Sequence, residues 1–560
     1  MPITLAVIFV LLALCPLAKA SADDVVKMAP FIVEASSGTP WRYFSVSGFE
    51  VLSRCPDSFN ETYARALQQS VAARAALLPP GFLPDLPTPI KIVLYCKPPE
   101  TKSAFTRANP IDLQLSPLAD ALLGSVSIEQ ASPVVVDDGD MFINCGNYST
   151  LIHDVQDLSV DPDTDILLQL RTPTIPAWFK AGVTGPYGVF VHRIIQSTAD
   201  GRVIARFPNA SWISHDETAA LQKAPKRPRS LLPLAELFDG SGRDSHGELW
   251  DSEAALFVRW GLFYKENDGI GHKEAFLRFV DRATTEPTTE QMFRECLGMG
   301  LADAQRRLDL YLARAVTETI TVPIANPSNA PVRIRDARPD EIARIIGDWG
   351  RFEGRSSNAG LVGSAEPGYR KECLDHAAKL FERTYANGSR SPLFLAAYGL
   401  YKAQIGEQLA ARKALEAATA AGVVRPRAYV ELARLRLEAA LPYAEHGIGD
   451  LREADYSAIR QLLTIARMQM PSLLRCYQLM ARVLEHAPKV PTREELAVLG
   501  EAVRLFPRNA AFACKVAMLY EQCGYPDEAA AIIERARQFA ESADARAQLA
   551  GLNPPTSRTP

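Results

Sequence analysis

The chain has 560 residues, 47% of them hydrophobic and 22% charged, with a formal net charge of −4. That length exceeds what one hydrophobic core serves and predicts roughly two to four domains, while the composition excludes a disordered or fibrous protein. The near-neutral charge supplies no field to attract nucleic acid or an anionic membrane, so neither is an expected partner.

Met1 to Ala20 reads as a signal peptide. The apolar run Ile3 to Cys15 is shorter than the ~20 residues a bilayer requires. Ala18-Lys19-Ala20 supplies a small-x-small cleavage pattern, so the mature chain would begin at Ser21. Leu12-Ala13-Leu14-Cys15 has the outline of a lipobox, and retention of the segment as an anchor is the alternative reading. No later stretch is long and apolar enough to span a membrane. Export, to the periplasm or outside the cell, is therefore expected, with no integral membrane segment after cleavage. In an oxidising compartment the remaining cysteines can pair. A bridge among Cys55, Cys96 and Cys145 suits the strand-rich front, whereas Cys373, Cys476, Cys514 and Cys523 fall in helical patterns that favour buried free thiols.

Residues 21–160 read as an α+β subdomain. Phe31-Ile32-Val33 and Trp41 to Leu52 alternate like paired strands around a turn at Ser36 to Pro40. Ser58 to Leu78 reads as a helix with Ser58 and Glu61 as a capping box. Ile90 to Cys96 is a short apolar strand, central in its sheet. Pro133 to Asp137 and Met141 to Cys145 flank Asp138-Gly139, a hairpin signal.

Residues 161–316 read as a helical subdomain. One helix starts at Asp161-Pro162-Asp163 and the next at Pro176. Lys223 to Arg229 is a basic, proline-broken connector, and Leu231 to Phe238 is short and apolar. Trp250 to Tyr264, Lys273 to Thr284 and Leu301 to Leu312 carry helical periodicity. The string Pro176-Ala177-Trp178-Phe179-Lys180-Ala181-Gly182-Val183 resembles the segment after the zinc helix in secreted gluzincin metallopeptidases of the peptidase MA-like group. The order of the Leu231 run, a helix with Ser252, Phe257 and Val258, and two closing helices resembles the carboxyl half of the same domains. The resemblance implies a mixed sheet plus helices. It also implies a third zinc ligand, a glutamate, at the position Ala181 occupies.

Residues 317–340 form a linker with an isolated strand at Ile320 to Ile324. Residues 341–545 are all-helical and repeat. Counting from Ala510, Tyr520, Gly524, Ala529, Ile533 and Ala536 fall at positions 11, 15, 20, 24 and 27. Counting from Pro392, Gly399, Gly406, Ala411, Leu415 and Ala418 fall at positions 8, 15, 20, 24 and 27. These positions resemble tetratricopeptide repeats, in which small residues sit where paired helices approach closely. A third unit from Pro426 carries an insertion around residues 441–455, and helices from Tyr456, Ser472 and Thr492 complete the array. Residues 546–560 read as a disordered tail.

Zinc hydrolysis needs two histidines one helical turn apart, a glutamate to deprotonate bound water, and a third ligand. No HExxH occurs, the helix before Pro176 offers Gln169 and Arg171, and His153, His192 and His215 have no partner four residues away. Asp161, Asp163 and Asp165 imitate the start of a calcium loop, but Ile166 and Thr172 stand where glycine and glutamate belong. These acids are explained as helix N-terminal charge. Asp137-Asp138-Gly139-Asp140 is a hairpin tip. Ser214-His215-Asp216-Glu217 cannot form a triad from adjacent residues, and Ser214 with Glu217, like Ser245 with Glu248, reads as a capping box. Trp178, Phe179, Tyr187 and Phe190 read as core. No catalytic or metal residue set is assigned and no cofactor is expected. The expectation is an exported, non-catalytic peptidase-like protein whose repeat domain binds a protein or peptide. The alternative is a metal-dependent peptidase, or another hydrolase, using a non-standard residue set.

Overall fold

A computed structural model describes residues 40–95, 134–137, 140–147, 162–190, 193–198, 201–210, 231–265, 271–325, 331–353, 367–441 and 447–550. The signal segment, Phe31 to Val33, His153, His192, Ser214 to Glu217, Lys223 to Arg229 and the tail from residue 551 lie outside the described residues. Among the described residues no helix is long and apolar enough to cross a membrane.

The front of the chain builds a mixed sheet from β1 (Arg42–Val46), β2 (Phe49–Ser53), β3 (Ile90–Tyr95), β4 (Val134–Asp137), β5 (Asp140–Asn147) and β9 (Arg335–Asp336), in the order β4-β5-β3-β2-β1-β9. β3 pairs in parallel with β2 and β5, which makes it an interior strand as its apolar run predicts. β4 and β5 form the expected hairpin, with Asp137 opposite Asp140. Trp41 to Leu52 is not one strand. It folds on itself as the β1–β2 hairpin, because Ser47 (φ 50°) and Gly48 (φ 85°) both take the left-handed conformation of a two-residue turn.

Alternate residues of this sheet feed two cores. Phe44, Val51 and Ile92 face the helix α1 (Asp57–Leu77), meeting Tyr63, Ala64 and Leu67. Trp41, Leu52 and Val93 face the other way and receive Ile345, Ile346 and Trp349. Helix α1 starts one residue before Ser58, behind Pro56, and no side chain caps it. Ser58 is therefore inside the first turn, where its hydroxyl cannot form the expected capping box. Asp57 instead accepts from Arg42 on β1 at 2.9 and 2.8 Å.

A second, antiparallel sheet joins β6 (Ile194–Ser197), β7 (Val203–Phe207) and β8 (Ile320–Ile324). The segment expected to be an isolated strand is thus the third member of a sheet, with Ile320 opposite Phe207. Against it packs α1, and the same core takes in α2 (Pro162–Leu170), α3 (Ala177–Thr184), α4 (Leu234–Phe238), α5 (Ser241–Phe263, bent at Gly247), α6 (Lys273–Thr285), α7 (Glu290–Leu297) and α8 (Leu301–Ala315). The Ser245–Glu248 box does not form: Ser245 lies within α5 and its hydroxyl donates to the Ser241 carbonyl at 3.1 Å.

The rest is a helical array: α9 (Pro339–Glu353) with α10 (Pro367–Ala386), α11 (Pro392–Gln404) with α12 (Gln408–Ala420), α13 (Pro426–Ala440) with α14 (Glu453–Met468), α15 (Leu474–Glu485) with α16 (Arg493–Leu505), α17 (Ala510–Gln522) with α18 (Pro526–Gln538), and a closing α19 (Ala543–Ala550). Successive first helices pack on one another, and each second helix packs on the following first helix, so the pairs stack into two layers. A Cβ on Gly399 would lie 2.7 Å from Leu415 Cγ, so repeat position 8 is small because position 24 presses on it. Gly406 (φ 84°) and Gly524 (φ 88°) make the same left-handed turn between paired helices. Helix α19 runs to Ala550 and buries Leu549, so residues 546–550 are helical rather than part of a disordered tail.

Candidate functional site

The place where the resemblance would put a zinc ligand is a packed helix crossing. Pro176 leads into α3, whose Trp178 and Phe179 are buried in an aromatic cluster. Trp178 lies 5.3 Å from the rings of Phe238 and Phe257. Ala181 is half-buried against the same core. Next to it, a Cβ on Gly182 would stand 2.4 Å from the Ala254 carbonyl oxygen and from Val258 Cγ2, so α3 lies directly on α5. Asp165 does more than complement its own helix. It accepts from Thr184 Oγ1 at 2.8 Å, pairs with Lys180 at 3.6 Å, and accepts from Gln169, tying α2 to α3. Arg171 donates to Asp281 at 2.5 Å and lies over the Phe82 ring; burial pulls the pKa of its guanidinium down. Phe190 is buried as expected, but Tyr187 is only half-buried, because its hydroxyl reaches Glu248. Among the described residues no group of three or more His, Cys, Asp or Glu is placed to hold a metal ion. Cys55 is disulfide-bonded; Cys476 and Cys514 are buried free thiols, as the helical patterns imply, and Cys523 is a free thiol that stays half-buried.

The array offers the better candidate. Between α15 and α17, consecutive first helices, lies a cleft of about 450 Å³ lined by Gln478, Arg482, Glu485, His486, Ala511, Phe512 and Lys515. Its walls follow from helix periodicity: Gln478 and Arg482 are exposed one turn apart on α15, as are Ala511 and Lys515 on α17. Phe512, at the floor of the cleft, and Ala481 bury their side chains, while Gln478, Arg482 and Lys515 stay exposed at its walls. Lys515 pairs with Glu485. His486 and Asp450 are hydrogen-bonded through Nδ1 and Oδ2 at 2.9 Å, and the same Asp450 oxygen accepts from the Gly447 amide at 2.8 Å. That contact pins the insertion after α13 to the rim of the cleft. Arg482 makes no ion pair with any described residue and is the uncommitted cation of the cleft.

The preceding first helix, α13, is different. Arg434 donates to Glu431 at 3.0 Å and to Glu438 at 2.5 Å, which consumes its charges internally. Burial tends to raise the pKa of Glu431, but the bonds from Arg434 outweigh it and hold that carboxyl low. None of the cleft residues stands out in the sequence as a motif. The signal present is Gln478 and Arg482 one turn apart on α15 and a single Lys515 in the middle of α17, polar positions that any solvated helix face shares.

No protein-family profile matches the chain, and no curated protein matches it. Among the solved structures that superpose on it in part, two serve as examples. One is a thermophilic TPR protein of Thermus thermophilus, 21% identical over 33% of this chain and 92% of that one, with a TM-score of 0.24. The other is the yeast Tom70, 13% identical over 60% of this chain and 82% of that one, with a TM-score of 0.17. Superpositions this loose carry no argument by themselves. The tetratricopeptide-like character of the array rests on its own helix pairing and on the small residues at the pair contacts.

Proposed function

We propose that the chain is an exported, non-catalytic protein that binds a peptide or an extended segment of another protein in the cleft between α15 and α17. One observation carries this reading: exposed Gln478, Arg482 and Lys515 stand around Phe512 in a cleft between stacked helices. Stacked helix pairs present such grooves to extended ligands, with polar side chains fixing the backbone of the guest. Export is supported by Ala18-Lys19-Ala20 and by the disulfide at Cys55, since structural disulfides persist in oxidising compartments. The Pro176 segment is read as a peptidase-like element without its chemistry, because Ala181 brings no ligand to the helix crossing.

The test is selection from a displayed random-peptide library on the mature chain, Ser21 onward, with Arg482→Glu and Lys515→Glu as counter-selection. Enrichment on the wild type that both variants abolish supports the reading. No enrichment, or enrichment the variants leave untouched, overturns it. Metal content after dialysis against trace zinc addresses the hydrolase alternative: one tightly held zinc per chain would move the function to the front region.

A further inference from the structure

The front region meets the array at its two ends. At the first end, Ile345, Ile346 and Trp349 of α9 bury against Trp41, Leu52 and Val93 of the sheet. Inside that contact Arg344 donates to Glu50 Oε2 at 2.7 Å, with Tyr43 donating to the same carboxylate at 2.6 Å. At the last end, Arg508 follows α16 and donates to the Thr174 carbonyl at 2.6 Å, the Ala283 carbonyl at 2.7 Å and Glu541 at 2.7 Å. Glu541 in turn accepts from the Ala177 amide at 3.3 Å. An array carboxylate thus serves the open N-terminus of front-region helix α3, where backbone amides lack partners within the helix. Arg535 donates to the Thr285 carbonyl at 2.8 Å, and Asp244 accepts from the Ala543 amide at 3.0 Å. Gly240 (φ 74°) passes so close to the Glu541 carbonyl that a Cβ would lie 2.1 Å from it. Between these anchors Asp85 and Pro87 face Val424, Met468, Gln469 and Met470 across a cleft of about 400 Å³.

We infer that the front region is a brace: it ties the first helix pair of the array to the last and thereby sets the curvature of the stack. In a solenoid each repeat contacts only its neighbours, so small rotations accumulate along the stack and the ends move most. A body fastened to both ends removes that freedom, and the cleft in the middle shows the bond to be at the ends rather than along the whole edge. A consequence for the groove between α15 and α17, which rests on the binding function proposed above, is that a guest meets it at a fixed width and loses less entropy on docking.

The experiment is a spin-label distance measurement on the mature full chain without ligand, using labelled unnatural residues at Lys371 on the first pair and Glu534 on the last. The wild type should give one narrow distance distribution. Removing the clasp with Arg508→Ala and Glu541→Gln together should broaden it about two-fold and raise hydrogen exchange in α15 and α17. Arg546 donates to the Asp239 carbonyl at 3.2 Å and pairs with Asp244 at 3.4 Å, so Arg535→Ala with Arg546→Ala removes shallower contacts and should broaden it by about half as much. Arg482→Glu, in the groove, should leave the width alone. A wild-type width in the clasp variant overturns the brace; if that variant does not fold, a wild-type width in the Arg535 and Arg546 variant overturns it instead. Neither result depends on finding a peptide, so failure of the library selection and failure of the brace are read separately.

Discussion

Gly182 shows what a single missing carbon does in this chain. An added Cβ would stand 2.4 Å from the Ala254 carbonyl oxygen and from Val258 Cγ2, and the first of these belongs to helix backbone that cannot swing aside. Gly182→Ala should therefore push α3 off α5 and cost about 1–3 kcal/mol, read as a lower urea midpoint at unchanged slope. A variant as stable as the wild type would mean that α3 can move off α5 without cost. Cys476 makes the opposite case, a reactive group silenced by its surroundings. Burial pushes its thiol up to about 12, and the sulfur contacts the Leu463 carbonyl at 3.5 Å. Only thiolate attacks a disulfide reagent, so at pH 8 Cys476 should stay unmodified by Ellman's reagent in the native protein and react once urea unfolds it. Rapid stoichiometric labelling of native Cys476, located by peptide mass spectrometry, would sink this account.

At the scale of the element, three Ser-x-x-Glu patterns predict capping boxes. Ser214 and Glu217 lie outside the described residues, the boxes at Ser58 and Ser245 do not form, and among the described residues a full box stands at Thr492 and Glu495. The Thr492 hydroxyl accepts from the Glu495 amide at 3.3 Å, and the Glu495 carboxylate accepts from the Thr492 amide at 3.0 Å. Thr492→Ala should cost about 1 kcal/mol and raise hydrogen exchange in the first turn of α16, whereas Ser58→Ala, within the turn, should change stability by less than about 0.5 kcal/mol. Equal effects would show that the pattern, and not the cap, sets these helices. The difference also explains what could be read in advance. Helix starts depend on which residue leaves the helical conformation, and Pro56 decides that for α1 while Ser58 only looks suitable. The repeats were legible because Gly399, Gly406 and Gly524 mark contacts and turns that recur at fixed spacing. The β1–β2 hairpin was hidden because β2 is buried on both faces, which erases the alternation that marks a strand end. The cleft was hidden for a simpler reason: Arg482 and Lys515 are ordinary exposed cations until two helices bring them face to face.

The whole molecule depends on contacts that no local pattern encodes, such as Glu50 with Arg344, 294 residues apart. Burial by itself would raise the pKa of Glu50, but the hydrogen bonds and charge of Arg344 outweigh it and hold the carboxyl below its ordinary value. A carboxylate depressed in the folded state stabilises that state above its unfolded pKa, and the contribution is lost as pH falls through the folded value. Glu341, held low by Arg335 against the same effect of burial, adds in the same direction at the same joint. The joint between sheet and array should therefore weaken as pH drops below about 4.3, the ordinary glutamate value. Glu50→Gln should flatten that part of the stability-versus-pH curve. At neutral pH it should also cost about 3–5 kcal/mol, because it leaves the Arg344 charge buried without its partner. Urea midpoints measured from pH 3 to pH 7 for both proteins check the two effects together. Parallel curves would show that Glu50 is not what acid releases. If front region and array are one cooperative body, near-UV signals from Trp41 and Trp349 at the joint and far-UV signal from the array helices should fall in a single transition. At low pH the wild type should still lose both at once, since a sheet stripped of α9 would expose the apolar face that Leu52 and Val93 present to it.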